Sequence, residues 1–135
     1  MNALMKITTA GLLSLGMTTG VAGAQQSLRD VGYVTEGLIA VGIAYEISAV
    51  CGSISARTFR GLGYLNQLRN HARGLGFTNA QIDEFRKDKT EQNLLEAIAR
   101  QRLSSMGAAP GNAAAHCAVG RAEIINESTI GYLLR

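Results

Sequence analysis

Helical periodicity runs through nearly the whole chain. From Val31 to Val50, apolar positions fall on almost every side of a helix drawn at about 100° per residue. Ile39, Ile43, Ile47 and Val50 form one stripe, and Val34, Leu38, Val41 and Tyr45 a second. Between them runs a seam of small residues, Gly37, Ala40, Ala44, Ser48 and Cys51. Thr35, Gly42, Glu46 and Ala49 make a narrow face without large apolar groups. This pattern predicts the central helix of a bundle, N-capped by Asp30, with Glu36 near its positive end and the Ser48 hydroxyl bonding back to the Ala44 carbonyl. The stretch is short for a membrane span and carries Glu36 and Glu46, which favours a buried core helix.

A second helix is expected from a cap at Ser53 or Ser55 to about Leu75. Its core stripe would be Gly61, Leu62, Leu65, Leu68, Ala72 and Leu75, and Gly74-Leu75-Gly76 its stop. Thr78-x-x-Gln81 reads as a capping box for a third helix with Ile82 and Phe85 on its apolar side. That side does not stay in phase with Leu94, Leu95, Ile98, Ala99, Leu103 and Met106, so a break near Asp88–Thr90 is expected, with Asp88-x-x-Glu91 capping the continuation. Gly107 ends the segment, Ala108–Asn112 with Pro110 is a loop, and Ala113–Asn126 is the last full helix. Thr129–Leu134 is a short apolar tail that docks back on the core. With no period-2 segment, the expected class is all-α, a compact bundle of four to five helices.

The N-terminus changes the picture of compartment. Lys6, the mildly apolar Ile7–Val21 and the small-residue run Ala22-Gly23-Ala24 follow the order of a secretory signal. Cleavage is expected after Ala24, leaving residues 25–135 as a single exported helical domain with no stable membrane span. The net charge of +3, one unit of it from Lys6, is too small to imply nucleic acid or an anionic membrane as a partner. Aromatic residues make up 5% and tryptophan is absent, so stacking platforms for bases or sugars are scarce.

Cys51 and Cys117 are the only cysteines. In an oxidising compartment they read as one disulfide, closing a loop of about 67 residues for roughly 4 kcal/mol of stabilisation. Neither Cys-x-x-Cys nor a cationic helix start supports a redox-active pair.

Chemistry-bearing patterns are few. Arg121 shares a helix face with Cys117, Ala118, Ile124 and Ile125, where a cation is costly unless paired. The disulfide would bring it towards Glu46, so a structural ion pair Glu46–Arg121 is expected, with a ligand carboxylate on Arg121 as the alternative. His71 and His116 are expected on the surface, and no spacing of His, Cys or carboxylates suits a metal. No nucleophile–base constellation or phosphate loop occurs, so no catalytic residue and no cofactor are expected, and the chain reads as a non-enzyme. Arg57, Arg60, Arg69, His71 and Arg73 give the second helix a basic character, which reads as a solvated face or, alternatively, as a docking surface for an acidic partner or lipid head groups.

Five segments together carry a resemblance: the isoleucine-rich helix ending in Cys51, Ser53-Ile54-Ser55-Ala56-Arg57, Tyr64-Leu65-Asn66, Cys117-Ala118-x-Gly120-Arg121-Ala122-Glu123-Ile124, and Ser128-x-Ile130-Gly131-x-Leu133-Leu134. Over about Leu28 to Arg135 the chain resembles the small exported alphaproteobacterial proteins carrying a domain of unknown function. The resemblance implies periplasmic residence and the Cys51–Cys117 disulfide, and it carries over no catalytic residue. It also implies a protein partner, an inner-membrane respiratory complex such as NADH–quinone oxidoreductase, which an accessory protein would stabilise or help assemble from the periplasmic face. The rival expectation is a periplasmic small-ligand or stress-type binding protein using Arg121.

Overall fold

A computed structural model describes residues 26–135; the expected signal segment and its cleavage site lie outside the described residues. The order is a 3₁₀ turn (Leu28–Asp30), then α1 (Gly32–Val50), α2 (Thr58–Gly74), α3 (Asn79–Lys87), α4 (Lys89–Ser105), α5 (Ala113–Ile125) and α6 (Thr129–Tyr132). The fold is all-α, as the periodicity predicts, and its only β feature among the described residues is one antiparallel bridge, Ala56 to Leu134.

α1 is the hub. The 3₁₀ turn, α2, α4, α5 and α6 all pack on it, and Ile39, Ile43, Ala44 and Ile47 are buried. By length and composition it is also apolar enough to cross a membrane, but here that apolarity serves contact on several sides at once. The small-residue seam works as read. A Cβ on Gly37 would stand 2.6 Å from Leu68 Cδ2 and 2.9 Å from the Tyr64 hydroxyl oxygen, so the bare backbone lets α2 approach. The narrow face opposite is also an interface, for a Cβ on Gly42 would meet the Ala99 methyl of α4 at 3.1 Å.

Local signals place the later helices. Thr78 and Gln81 form the reciprocal capping box, with Gln81 N–H donating to Thr78 Oγ1 at 3.2 Å and Thr78 N–H to Gln81 Oε1 at 2.8 Å. The break between α3 and α4 falls at Asp88, whose Oδ1 accepts from the N–H groups of Thr90 and Glu91 at 2.8 and 3.2 Å. Gly76 and Gly107, both at positive φ, close the ends of α2 and α4. The tail docks as expected, with Leu133 and Leu134 buried.

Two caps and one side-chain bond differ from expectation. Asp30 does not cap α1. It lies in the 3₁₀ turn, which Ser27 caps, and Val31 occupies the N-cap of α1 without a side-chain bond. Ser53 and Ser55 do not cap α2, because the chain before α2 is recruited by the tail. Ser55 and Arg135 exchange N–H···O bonds of 2.8 and 2.9 Å, and Arg57 N–H donates to the Leu133 carbonyl at 2.8 Å. The Ser48 hydroxyl donates to the Tyr45 carbonyl at 2.8 Å, one residue later than Ala44.

Ion pairs lash α4 to the N-terminal part of the chain. Glu91, buried at the start of α4, receives both Nε and Nη2 of Arg29. At the far end of α4, Arg102 makes two bonds to the Glu36 carboxylate, and these hold that carboxyl below the usual carboxylate range. A lowered folded-state value means the pair contributes above the ordinary glutamate pKa of about 4.3 and is lost as pH falls through the folded value. Both side chains are about half exposed, so the contribution at neutral pH is at most about 1 kcal/mol. Glu36→Gln should therefore be slightly less stable than the parent at pH 7, and the difference should vanish in acid once Glu36 is protonated in the folded state. Urea midpoints across pH check this, and a difference that stays constant with pH would refute it.

Candidate docking site

The disulfide forms between Cys51, at the C-terminal end of α1, and Cys117 in α5, with Cα atoms 5.2 Å apart. Cys51 is fully buried, and the Ser53 hydroxyl lies 3.3 Å from its sulfur. The two cysteines join α1 to α5 as the sequence indicates, but the charges near them do not meet. Glu46 faces Arg100 of α4 at 3.7 Å, not Arg121. Arg121 is exposed and lines neither of the two clefts described below. The expected Glu46–Arg121 pair is thus corrected. The reason is angular: α5 turns Val119 and Gly120 towards the core, and Arg121, about 100° on from Gly120, points to water. His116 is also corrected from surface to core. It is 2% exposed, with Nδ1 2.6 Å from the Asn112 carbonyl oxygen.

The five basic residues of the second helical segment do not form one face. Arg57 Nε donates to the Leu134 carbonyl at 2.8 Å, and the Arg60 guanidinium stacks over the Tyr132 ring, 4.8 Å from its centroid. Both pin the C-terminal tail. His71 sits against the Tyr33 ring at 4.3 Å. Arg69 and Arg73 lie roughly 180–220° around the helix from Arg60 and are exposed.

That outer edge of α2 is where an unpartnered surface appears. Phe59, Leu62, Asn66, Arg69 and Arg73 follow one another at spacings of three and four, so they form one row along the helix. Phe59 is 90% exposed and Leu62 60%, although Leu62 was expected in the core stripe. Of that stripe only Leu68 and Ala72 are buried, while Leu75 is half exposed. The core is met by the Tyr64–Leu68–Ala72 side of α2, rotated away from Leu62, because the notch at Gly37 receives Tyr64 and Leu68. The row is apolar at its N-terminal end and cationic at its C-terminal end.

Two clefts border α2. One, of about 730 Å³, is lined by Gly37, Ile39, Ile43 and Tyr64, with Glu36 and Arg102 at its rim. The other, of about 510 Å³, lies over α1 between α2, α3 and α4. No periodicity argument could have revealed either, since both are gaps between elements distant in sequence. The exposed row could have been found by plotting Phe59, Leu62, Asn66, Arg69 and Arg73 on one helical wheel. Among the described residues, no group of three or more His, Cys, Asp or Glu is placed to hold a metal ion.

Set against known proteins, residues 26–135 match a family described as of unknown function, DUF5333. No curated protein and no solved structure matches.

Proposed function

The chain belongs to the DUF5333 family of unknown function, and from that premise we propose that it is an exported, non-catalytic interaction module that docks through the outer edge of α2. The observation that carries the reading is the row Phe59, Leu62, Asn66, Arg69 and Arg73. It sets two large apolar side chains beside two cations that make no ion pair among the described residues, on a helix packed against α1. Exposed aromatic and aliphatic anchors next to arginine are the chemistry of an interface core with a steering rim. The complementary surface is an apolar patch flanked by carboxylates. Periplasmic residence and the class of partner, an inner-membrane complex such as NADH–quinone oxidoreductase that the module stabilises or helps assemble, rest on the sequence resemblance.

The test is recovery of the tagged protein from native membranes in mild detergent, with mass spectrometry of what accompanies it. Phe59→Ala with Leu62→Ala is expected to lower retention of the partner at least tenfold, as loss of about 2 kcal/mol of anchor contact implies. Arg69→Glu with Arg73→Glu should act mainly on the rate of association and its salt dependence. Stoichiometric recovery of one membrane complex by the parent protein that neither pair of substitutions reduces would remove α2 as the docking edge.

A further inference from the structure

α2 and α4 each pack on α1 without forming a seam of their own, and α3 bridges only one end of the space between them. The result is a groove of about 510 Å³, within the roughly 300–1,000 Å³ that small-molecule sites occupy. Val34, Leu38 and Leu68 make its floor, with Leu65, Phe85 and Leu95 on its walls. Leu38, Phe85 and Leu95 stay only half-buried, because no other part of the described chain covers them. Polar groups gather at the mouth. Asn66 and Arg69 come from α2, Asp83 and Arg86 from α3, and Gln92 from α4. Asp83 is neutralised by Arg86 at 3.7 Å, whereas Arg69 makes no ion pair among the described residues. The mouth therefore has one uncompensated positive charge over an elongated apolar floor.

We infer that this groove is a binding site for a single-chain amphiphile with an anionic head, its chain lying on the α1 floor and its carboxylate held by Arg69 with Asn66 beside it. An extended acyl chain fills an open apolar trough without leaving polar groups unsatisfied, and a guanidinium with a neighbouring amide suits a carboxylate. The groove shares Leu62, Asn66 and Arg69 with the docking row on α2, so a protein seated on that row and an amphiphile in the groove would compete, whereas Phe59 and Arg73 do not line the groove and serve the row alone.

Dodecanoate at submicellar concentration, titrated into the purified protein by calorimetry, is the test, with dodecanol and dodecylammonium as comparisons. Saturable one-to-one binding of dodecanoate is expected, with dodecanol weaker and dodecylammonium weaker still. Arg69→Gln should weaken dodecanoate roughly tenfold, the scale of one charge-assisted contact, and leave dodecanol unchanged. Leu65→Trp, at a part-exposed wall position where the fold is not at risk, should abolish both. Equal affinity for dodecanoate and dodecanol would overturn the assignment of the head group, and absence of dodecanoate binding would overturn the site. So would Leu65-dependent dimerisation in sedimentation without dodecanoate uptake, which would give the groove to a second copy. Arg69-dependent flotation with phosphatidylglycerol vesicles without dodecanoate uptake would give it to a bilayer surface and equally overturn the proposal.

Discussion

Removal of the disulfide by Cys51→Ala with Cys117→Ala is expected to cost about 4 kcal/mol and to lower the melting temperature by roughly 20 °C. The size follows from the sequence separation of 66 between the two cysteines. A crosslink over so long a loop denies the unfolded chain most of its freedom to separate the ends. The native state gives the bond little to distort, since the Cα atoms stand 5.2 Å apart, near the common value for disulfides. A loss of this size is a large fraction of the 5–15 kcal/mol that holds a typical domain together. Urea titration of oxidised parent and double variant measures it. A difference below about 1 kcal/mol would mean that α1 and α5 stay associated in the unfolded ensemble without the bond.

Gly131→Ala is expected to detach the C-terminal tail. A Cβ at this position would lie 2.0 Å from the Glu123 carbonyl oxygen, 2.4 Å from its carbon and 2.8 Å from Ile124 Cα. These are backbone atoms of α5, so no change of rotamer relieves the clash and α6 must lift away. Ser128, whose hydroxyl accepts from the Gly131 N–H at 3.0 Å and donates to the Glu123 carboxylate, would lose its role as the cap. Leu133 and Leu134, 3% and 1% exposed, would leave the core with α6. Burial of each leucine is worth about 1.5–3 kcal/mol, so at least 3 kcal/mol is at stake. Hydrogen exchange should show residues 129–135 and the amides of Ser55 and Arg57 losing protection together. Unchanged protection at Ser55 would show the tail still in place.

What could be read from the chain depended on the range of the interaction. Thr78 with Gln81, and Asp88 with Thr90 and Glu91, are bonds between residues two or three apart, so their geometry is set by the local sequence. The seam at Gly37 was also legible, because small residues at helical spacing mark where a neighbour comes close. Asp30 and Ser53 have good capping chemistry, yet neither caps a helix. Arg29, two residues from Ser27, is drawn to Glu91 in α4, and the segment before α2 is claimed by a tail some eighty residues later in the sequence. Glu46 illustrates the same limit. Its sequence neighbourhood says that it needs a cation but not which one, and the packing of Gly42 on Ala99 brings Arg100 to it. Helix phase decided the rest. A stripe drawn through Leu62, Leu68 and Ala72 spans about 120°, and the core took one edge of it, leaving Leu62 in water.

The place of α1 as hub has a consequence for biogenesis. Chains emerge N-terminus first, so the most apolar helix of this domain is made early and covered late. Its partners α4, α5 and α6 lie 39 or more residues beyond its end. In that interval α1 is a sticky rod, saved from lodging in lipid chiefly by Glu36 and Glu46. Until then only the 3₁₀ turn and α2 are available to cover it, and both of its carboxylates wait for their arginines, since Arg100 and Arg102 lie in α4.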